Sequence, residues 1–211
     1  MARERGSRGP QDVLAPLFER PSGDPLGRRL APEAHAVLEV PAGYGGRGEW
    51  LLLEDAPRLA RLLEACRHEV KLTLGGLPRP GDATRMLLEG PPGSPGAPPA
   101  NRFIAGLSNA DGDLTALLDV VRDYPSRGIW CIAALIVRPD LRGCGIAAEL
   151  VERLERWAHA EGGRALHFPL SRLDTGSIHF ARRCGFVDHG DVVFREAARG
   201  LRLAIMARPV R

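Results

Sequence analysis

A mixed α/β fold is predicted for this chain, with a mostly antiparallel sheet around one central parallel strand pair and helices flanking it. Three observations predict it. Residues Ile129–Val137 carry no charge, and so short an apolar run suits a strand buried on both faces. A helical pattern and then a second apolar segment, Arg164–Leu170, follow, and a strand–helix–strand crossover makes the two strands parallel. Asp111-Gly112 separates two further apolar runs, a hairpin signal that makes that pair antiparallel.

Taken in order, residues 1–33 are rich in Arg, Gly and Pro and show no sustained period. They read as an irregular arm with one short helical turn at Val13–Glu19. His35–Val40 reads as a short extra strand, Gly43–Gly48 as a loop, and Trp50–Leu53 as the first strand of the folded domain. The chain therefore divides into an N-terminal arm, 1–48, and a domain, 49–211. Asp55 caps a helix with Pro57 in its first turn, and Leu59, Leu62, Leu63 and Cys66 supply its i, i+3, i+4, i+7 face. A second helix is expected over Gly81–Glu89. Gly90–Ala100 is a Pro/Gly loop. Arg102–Asn109 and Leu114–Arg122 form the hairpin, and Tyr124–Gly128 turns the chain into the central strand.

Pro139 and Asp140 end that strand. The run Arg142-Gly143-Cys144-Gly145-Ile146-Ala147 then opens into a helix. Ile146, Leu150, Leu154 and Trp157 lie on one helical face, Glu149–Arg153 and Glu152–Arg156 are i, i+4 pairs, and Gly162-Gly163 stops it. About 24 Å of helix results. A further helix starts at Asp174 or Thr175, runs to about Arg183 and ends at Gly185. Asp191–Arg195 and Leu201–Ala207 read as two last antiparallel strands.

Glycines at a helix start bring unpaired amides and the positive end of the helix dipole together, which suits a phosphate or diphosphate. Gly-Lys-Ser/Thr is missing, so this is no P-loop. Position 148 is Ala, which a dinucleotide loop sometimes allows, but no acid ends a second strand about 20 residues on, which argues against one. Val137-x-Pro139-x-x-Arg142-x-x-Gly145-x-Ala147 resembles the acyl-CoA loop of the GNAT (GCN5-related) N-acetyltransferases. Asp174-x-x-Ser177-x-x-Phe180-x-x-Arg183-x-Gly185-Phe186 resembles the family's second signature, and Leu117–Pro125 looks like one bacterial subgroup. The resemblance spans about residues 49–211.

The resemblance implies the GNAT fold, in which the central parallel strands splay apart and admit the pantetheine arm. It implies acetyl-CoA as co-substrate, no metal, and direct attack of a primary amine on the thioester in a ternary complex. Homodimers are common in the family. Leu135, Ile136 and Val137 would pair with pantetheine, and Arg142, Gly143, Cys144, Gly145, Ile146 and Ala147 would hold the diphosphate. Asp174 and Phe180 would lie near the cofactor, Asp174 where the family commonly has Asn.

An alkyl amine is mostly protonated at neutral pH and must lose a proton to attack. Asp119, a carboxylate within an apolar strand, is the candidate acceptor of that proton. Tyr124 is the candidate donor to the leaving thiolate, because the family's usual Tyr position is Ala181. His167 alternates with Ala165 and Pro169 and reads either as a catalytic histidine or as a polar-face or core one. Ala181 also keeps open a second reading, a GNAT-fold module that binds acyl-CoA without turnover. A third is transfer from another acyl-CoA or to oxygen.

Composition narrows the partners. Net charge is +3, and Lys71 is the only lysine among 29 Lys and Arg residues. The arginines are dispersed rather than clustered, unlike a nucleic-acid stripe. Four cysteines form no CxxC pair and read as free thiols. No secretory leader and no apolar run of membrane-spanning length is visible, so the expected location is the cytoplasm, with no membrane partner.

Overall fold

The computed structural model describes residues 32–39, 46–74, 76–89, 101–194 and 201–211. Its elements are α1 (Pro32–Ala36), β1 (Arg47–Trp50), α2 (Ala56–Ala65), α3 (Arg67–Leu74), α4 (Asp82–Glu89), β2 (Arg102–Ser108), β3 (Leu114–Arg122), β4 (Ile129–Val137), α5 (Ile146–Ala160), β5 (Ala165–Ser171), α6 (Thr175–Arg183), β6 (Val187–Phe194) and β7 (Leu201–Pro209). Seven strands form one sheet in the order β1-β2-β3-β4-β5-β7-β6. Among the described residues only β4 and β5 pair in parallel, and the other five pairings are antiparallel.

Two cores cover the two faces. On one, Val151, Leu154, Trp157 and Ala158 of α5 and Ala181 of α6 pack on Trp130, Ile132, Leu166 and Phe168. Trp130 and Trp157 meet edge to face, with ring centroids 4.8 Å apart, an arrangement that adds about 0.5–1.5 kcal/mol to simple burial. On the other face Leu59, Leu62 and Leu63 of α2, Val70 of α3 and Met86 of α4 pack on Ile104, Leu117, Ala134 and Ile136. Among the described residues no helix is long and apolar enough to cross a membrane.

The central strand, the hairpin and the helix after the Gly-rich loop lie where the sequence predicts them. Four elements differ. The expected strand His35–Val40 is absent over its described residues, 35–39: Pro32–Ala36 is helical and the chain turns through Leu38, while Val40 lies outside the described residues. Ala34 and Val37, at i, i+3 spacing, are both fully buried in the core that α5 contributes to, and only a helical turn puts both on one side. The first strand is Arg47–Trp50 rather than Trp50–Leu53. Asp55 explains where it stops, because its carboxylate accepts the Leu52 amide at 3.1 Å and folds Leu53–Asp55 into a 3-10 turn. A helix at Arg67–Leu74 has no counterpart in the sequence reading. The penultimate strand starts at Val187, and the Asp188–Asp191 irregularity absorbs His189-Gly190, with Gly190 at φ +105°. The Val13–Glu19 turn, the Gly90–Ala100 loop and Arg195 lie outside the described residues.

Candidate active site

The pairing of β4 with β5 covers three residues: Ile129↔Ala165, Trp130↔Leu166 and Cys131↔His167. Beyond that point the strands part. On its other edge β4 stays paired with β3 as far as Val137, with an irregularity that skips Ala133. The gap is a cavity of about 550 Å³, within the usual range for a small-molecule site. Its walls include Ala133–Val137 and Phe168–Leu170. Leu135, Val137, Phe168 and Leu170 belong to the α5/α6 face of the sheet, whereas Ala134 and Ile136 belong to the opposite face. The cavity therefore passes between the strands from one side of the sheet to the other.

One end is closed by the Gly-rich loop and the start of α5. Gly143 and Gly145 stand at φ +80° and +86°, and a Cβ on either would meet nothing within 4 Å. Glycine is needed there for the backbone angle rather than for space. Gly145 is the N-cap of α5, with no side chain capping it, and its carbonyl accepts the first helical bond, from Glu149. The amides of Ile146, Ala147 and Ala148, all on the cavity wall, thus have no acceptor within the helix.

Charged groups rim the same space. Arg142 donates to Glu69 of α3 at 2.5 Å and to the Val137 carbonyl at 3.2 Å. Partial burial opposes ionisation of Glu69, but the Arg142 bond and charge outweigh it and hold the carboxyl below its ordinary range. Asp174 caps α6, accepting the amide of Ser177 at 2.9 Å and its hydroxyl at 2.6 Å. Phe180, Arg183 and Cys184 complete the α6 side.

Residues 93–186 match the sequence model of the acetyltransferase (GNAT) family. Its fold is the GNAT fold. Solved structures share its fold. An acetyltransferase from Thermus thermophilus overlays 77% of this chain with 96% of its own, at TM-score 0.60 and 23% identity. An N-acetyltransferase from Staphylococcus aureus overlays 78% with 98% of its own, at 0.58 and 17%. The GNAT domain of S. lividans PAT overlays 81% with 99% of its own, at 0.56 and 16%. No curated protein matches the sequence.

Of the cofactor residues expected from the sequence, Leu135, Ile136, Val137, Arg142, Gly143, Gly145, Ile146, Ala147, Asp174 and Phe180 all line this cavity. Cys144 does not; it is exposed on the loop. The two expected proton carriers are not brought to the cavity. Asp119 is fully buried, paired with Arg102 through bonds of 2.9 and 2.5 Å. Arg102 also donates to the Met86 and Leu87 carbonyls, so this pair ties the end of α4 to the sheet. Burial pushes the Asp119 carboxyl up and Arg102 opposes it. Tyr124, in the turn before β4, is not among the residues of the cavity wall; burial, with Cys131 nearby, pushes its phenol up. Ala181 is fully buried in the core. The sequence reading missed Glu69 and Cys184; α3 itself carries too little periodic pattern to predict.

Proposed function

We propose that this GNAT domain transfers the acetyl group of acetyl-CoA to a primary amine of a small molecule or protein, by direct attack in a ternary complex. The observation that carries this reading is the gap between β4 and β5, open through the sheet and ending at an uncapped helix start. Its residues suit the coenzyme in shape and charge: a slot between strand backbones, then amides in a glycine turn.

Acetyl-CoA, when bound, supplies an activated acyl group as a thioester. The chain's residues do the rest. Amides from Gly143 to Ala148 bind the diphosphate, as helix starts bind anions. The backbone of Leu135–Val137 pairs with the amide-bearing arm as an added strand would. A β4 amide near Leu135 donates to the developing oxyanion. Arg142 adds charge at the rim, and Asp174 orders α6 against the slot.

A second reading, an acyl-CoA-binding module without turnover, is favoured by one observation: the family's usual tyrosine position is a buried Ala181. Calorimetry with acetyl-CoA, followed by thiol release with a panel of primary amines, tests both. Binding with turnover supports transfer, binding alone supports the module, and no binding sinks both.

A further inference from the structure

We propose that His167 takes the proton released by the acceptor amine, working through one water from the face of the sheet opposite α5 and α6. The inference rests on the reading of the cavity as an acetyl-transfer site.

Along β5, Leu166, Phe168 and Leu170 enter the core under α5 and α6. Side chains alternate on a strand, so His167 and Pro169 face the other way. Pro169 lines the cavity together with Ala134 and Ile136, and these mark its opening on that opposite face. His167, itself just outside the residues of the cavity wall, is the next residue on Pro169's side, about 7 Å along the strand. It is also the last residue of β5 in register with β4, opposite Cys131, so it stands where the strands begin to part. Its imidazole is half-buried and, among the described residues, makes no hydrogen bond.

The other titratable groups near the gap are committed or cannot accept a proton. Asp119 is locked to Arg102, Glu69 to Arg142 and Asp174 to Ser177. Burial pushes the Cys131 thiol up to about 12, so it stays protonated. Burial, with His189 adding to it, lowers the His167 pKa below its ordinary value, so its imidazole is neutral and accepting at pH 7. The titratable and charged groups on the elements around it are His189 of β6, Cys131 of β4, Arg67, His68, Glu69 and Lys71 of α3, which packs on β5, Asp188 and Asp191 of β6, both paired with Arg172, and Arg202 and Arg208 of β7, paired with Asp191 and Glu155.

The acceptor ammonium gives one proton through the water to the imidazole. Its nitrogen lone pair then bonds to the thioester carbon, and the carbon–sulfur bond breaks with its electrons on sulfur. The nitrogen's second proton passes to that thiolate, leaving one N–H on the amide product.

The test uses the full chain, acetyl-CoA and a panel of amines: a polyamine, an arylalkylamine, an aminoglycoside and a peptide N-terminus. His167→Gln is expected to lower kcat by about 10²-fold or more while the calorimetric Kd for acetyl-CoA stays unchanged. Added imidazole should restore part of the rate of His167→Ala. An NMR titration should place the His167 imidazole below the ordinary histidine range, and His189→Gln at the exposed neighbour should raise it. Full kcat in His167→Gln overturns the proposal. So does an ordinary pKa untouched by His189→Gln, or acetyl-CoA binding with no thiol released for any amine. Failure of the wild-type chain to bind acetyl-CoA overturns the reading of the site itself.

Discussion

Cys131 and His167 are the last residues that β4 and β5 hold side by side, and the cavity wall starts two residues further along β4, at Ala133. Ala133 is skipped in the β3 register and is only partly buried. Bulk added there enters the gap rather than the core. Ala133→Phe is expected to weaken acetyl-CoA binding by tenfold or more, equivalent to about 1.4 kcal/mol, with little change in Tm. Calorimetry and a thermal melt on the same preparation check it. A variant that binds as tightly as the wild type would show that the coenzyme arm lies elsewhere.

Gly145 allows a sharper separation of folding from binding. Its positive φ makes any side chain cost about 1–2 kcal/mol, but the space beside it is open. Gly145→Glu should therefore fold with a modest loss of Tm. It also places a negative charge at the start of α5, where the dipole and free amides favour an anion. Acetyl-CoA affinity should fall far more than stability does, and raising the salt should recover part of it. Unaltered affinity would remove the diphosphate from this loop.

The Glu69–Arg142 pair joins α3 to the Gly-rich loop across 73 positions of sequence. At rest Glu69 neutralises the cation that faces the cavity. Glu69→Gln leaves that positive charge uncompensated. At a separation of about 7 Å in a water-like dielectric this is worth about 0.6 kcal/mol per phosphate charge, so acetyl-CoA should bind about threefold more tightly at low salt, and equally at high salt. The pair also has a pH signature. The folded Glu69 carboxyl lies below its unfolded value of 4.5, so the bond contributes fully above that pH and is lost as the pH falls through the lower folded value. In acid melts Glu69→Gln should match the wild type, the difference appearing only toward neutral pH. It should be small, since both groups are partly exposed.

Arg102 and Asp119 predict the opposite kind of behaviour. Asp119→Ala strands a guanidinium that is buried beside the α4 carbonyls, and breaking such a pair costs about 3–5 kcal/mol. Urea unfolding should show this loss. Arg102→Met with Asp119→Leu should recover most of it, because no charge is then left behind. The thiol-release rate per folded molecule should not change, which distinguishes a structural pair from a proton acceptor.

These two ion pairs also mark where the sequence stops being informative. β4 was legible to the residue, because an uncharged run between Gly128 and Arg138 has few other solutions, and the glycine loop and α5 followed from local signals. α3 was not, because Val70 is its one fully buried side chain among those described, so no period emerges. Asp119 looked like an unpaired acid in an apolar strand. Its partner lies on the neighbouring strand, and only the β2–β3 register, which sets Ile104 opposite Asp119, brings Arg102 within reach. Glu69 was invisible for the same reason: its role is set by where α3 comes to rest.

Ala181 gives the last prediction. The family resemblance puts a tyrosine there, and restoring it looks like a way to add an acid for the leaving thiolate. The packing argues otherwise. Ala181 is fully buried on α6 among core residues that include Phe186, and does not line the cavity. A tyrosine would overfill this site at about 1–3 kcal/mol and bury a hydroxyl that needs a partner. Ala181→Tyr should lower Tm and leave the rate of thiol release no higher than before. A stable variant with a raised kcat would mean that α6 shifts to present position 181 to the sulfur, and that this chain works with a different helix placement from the one seen.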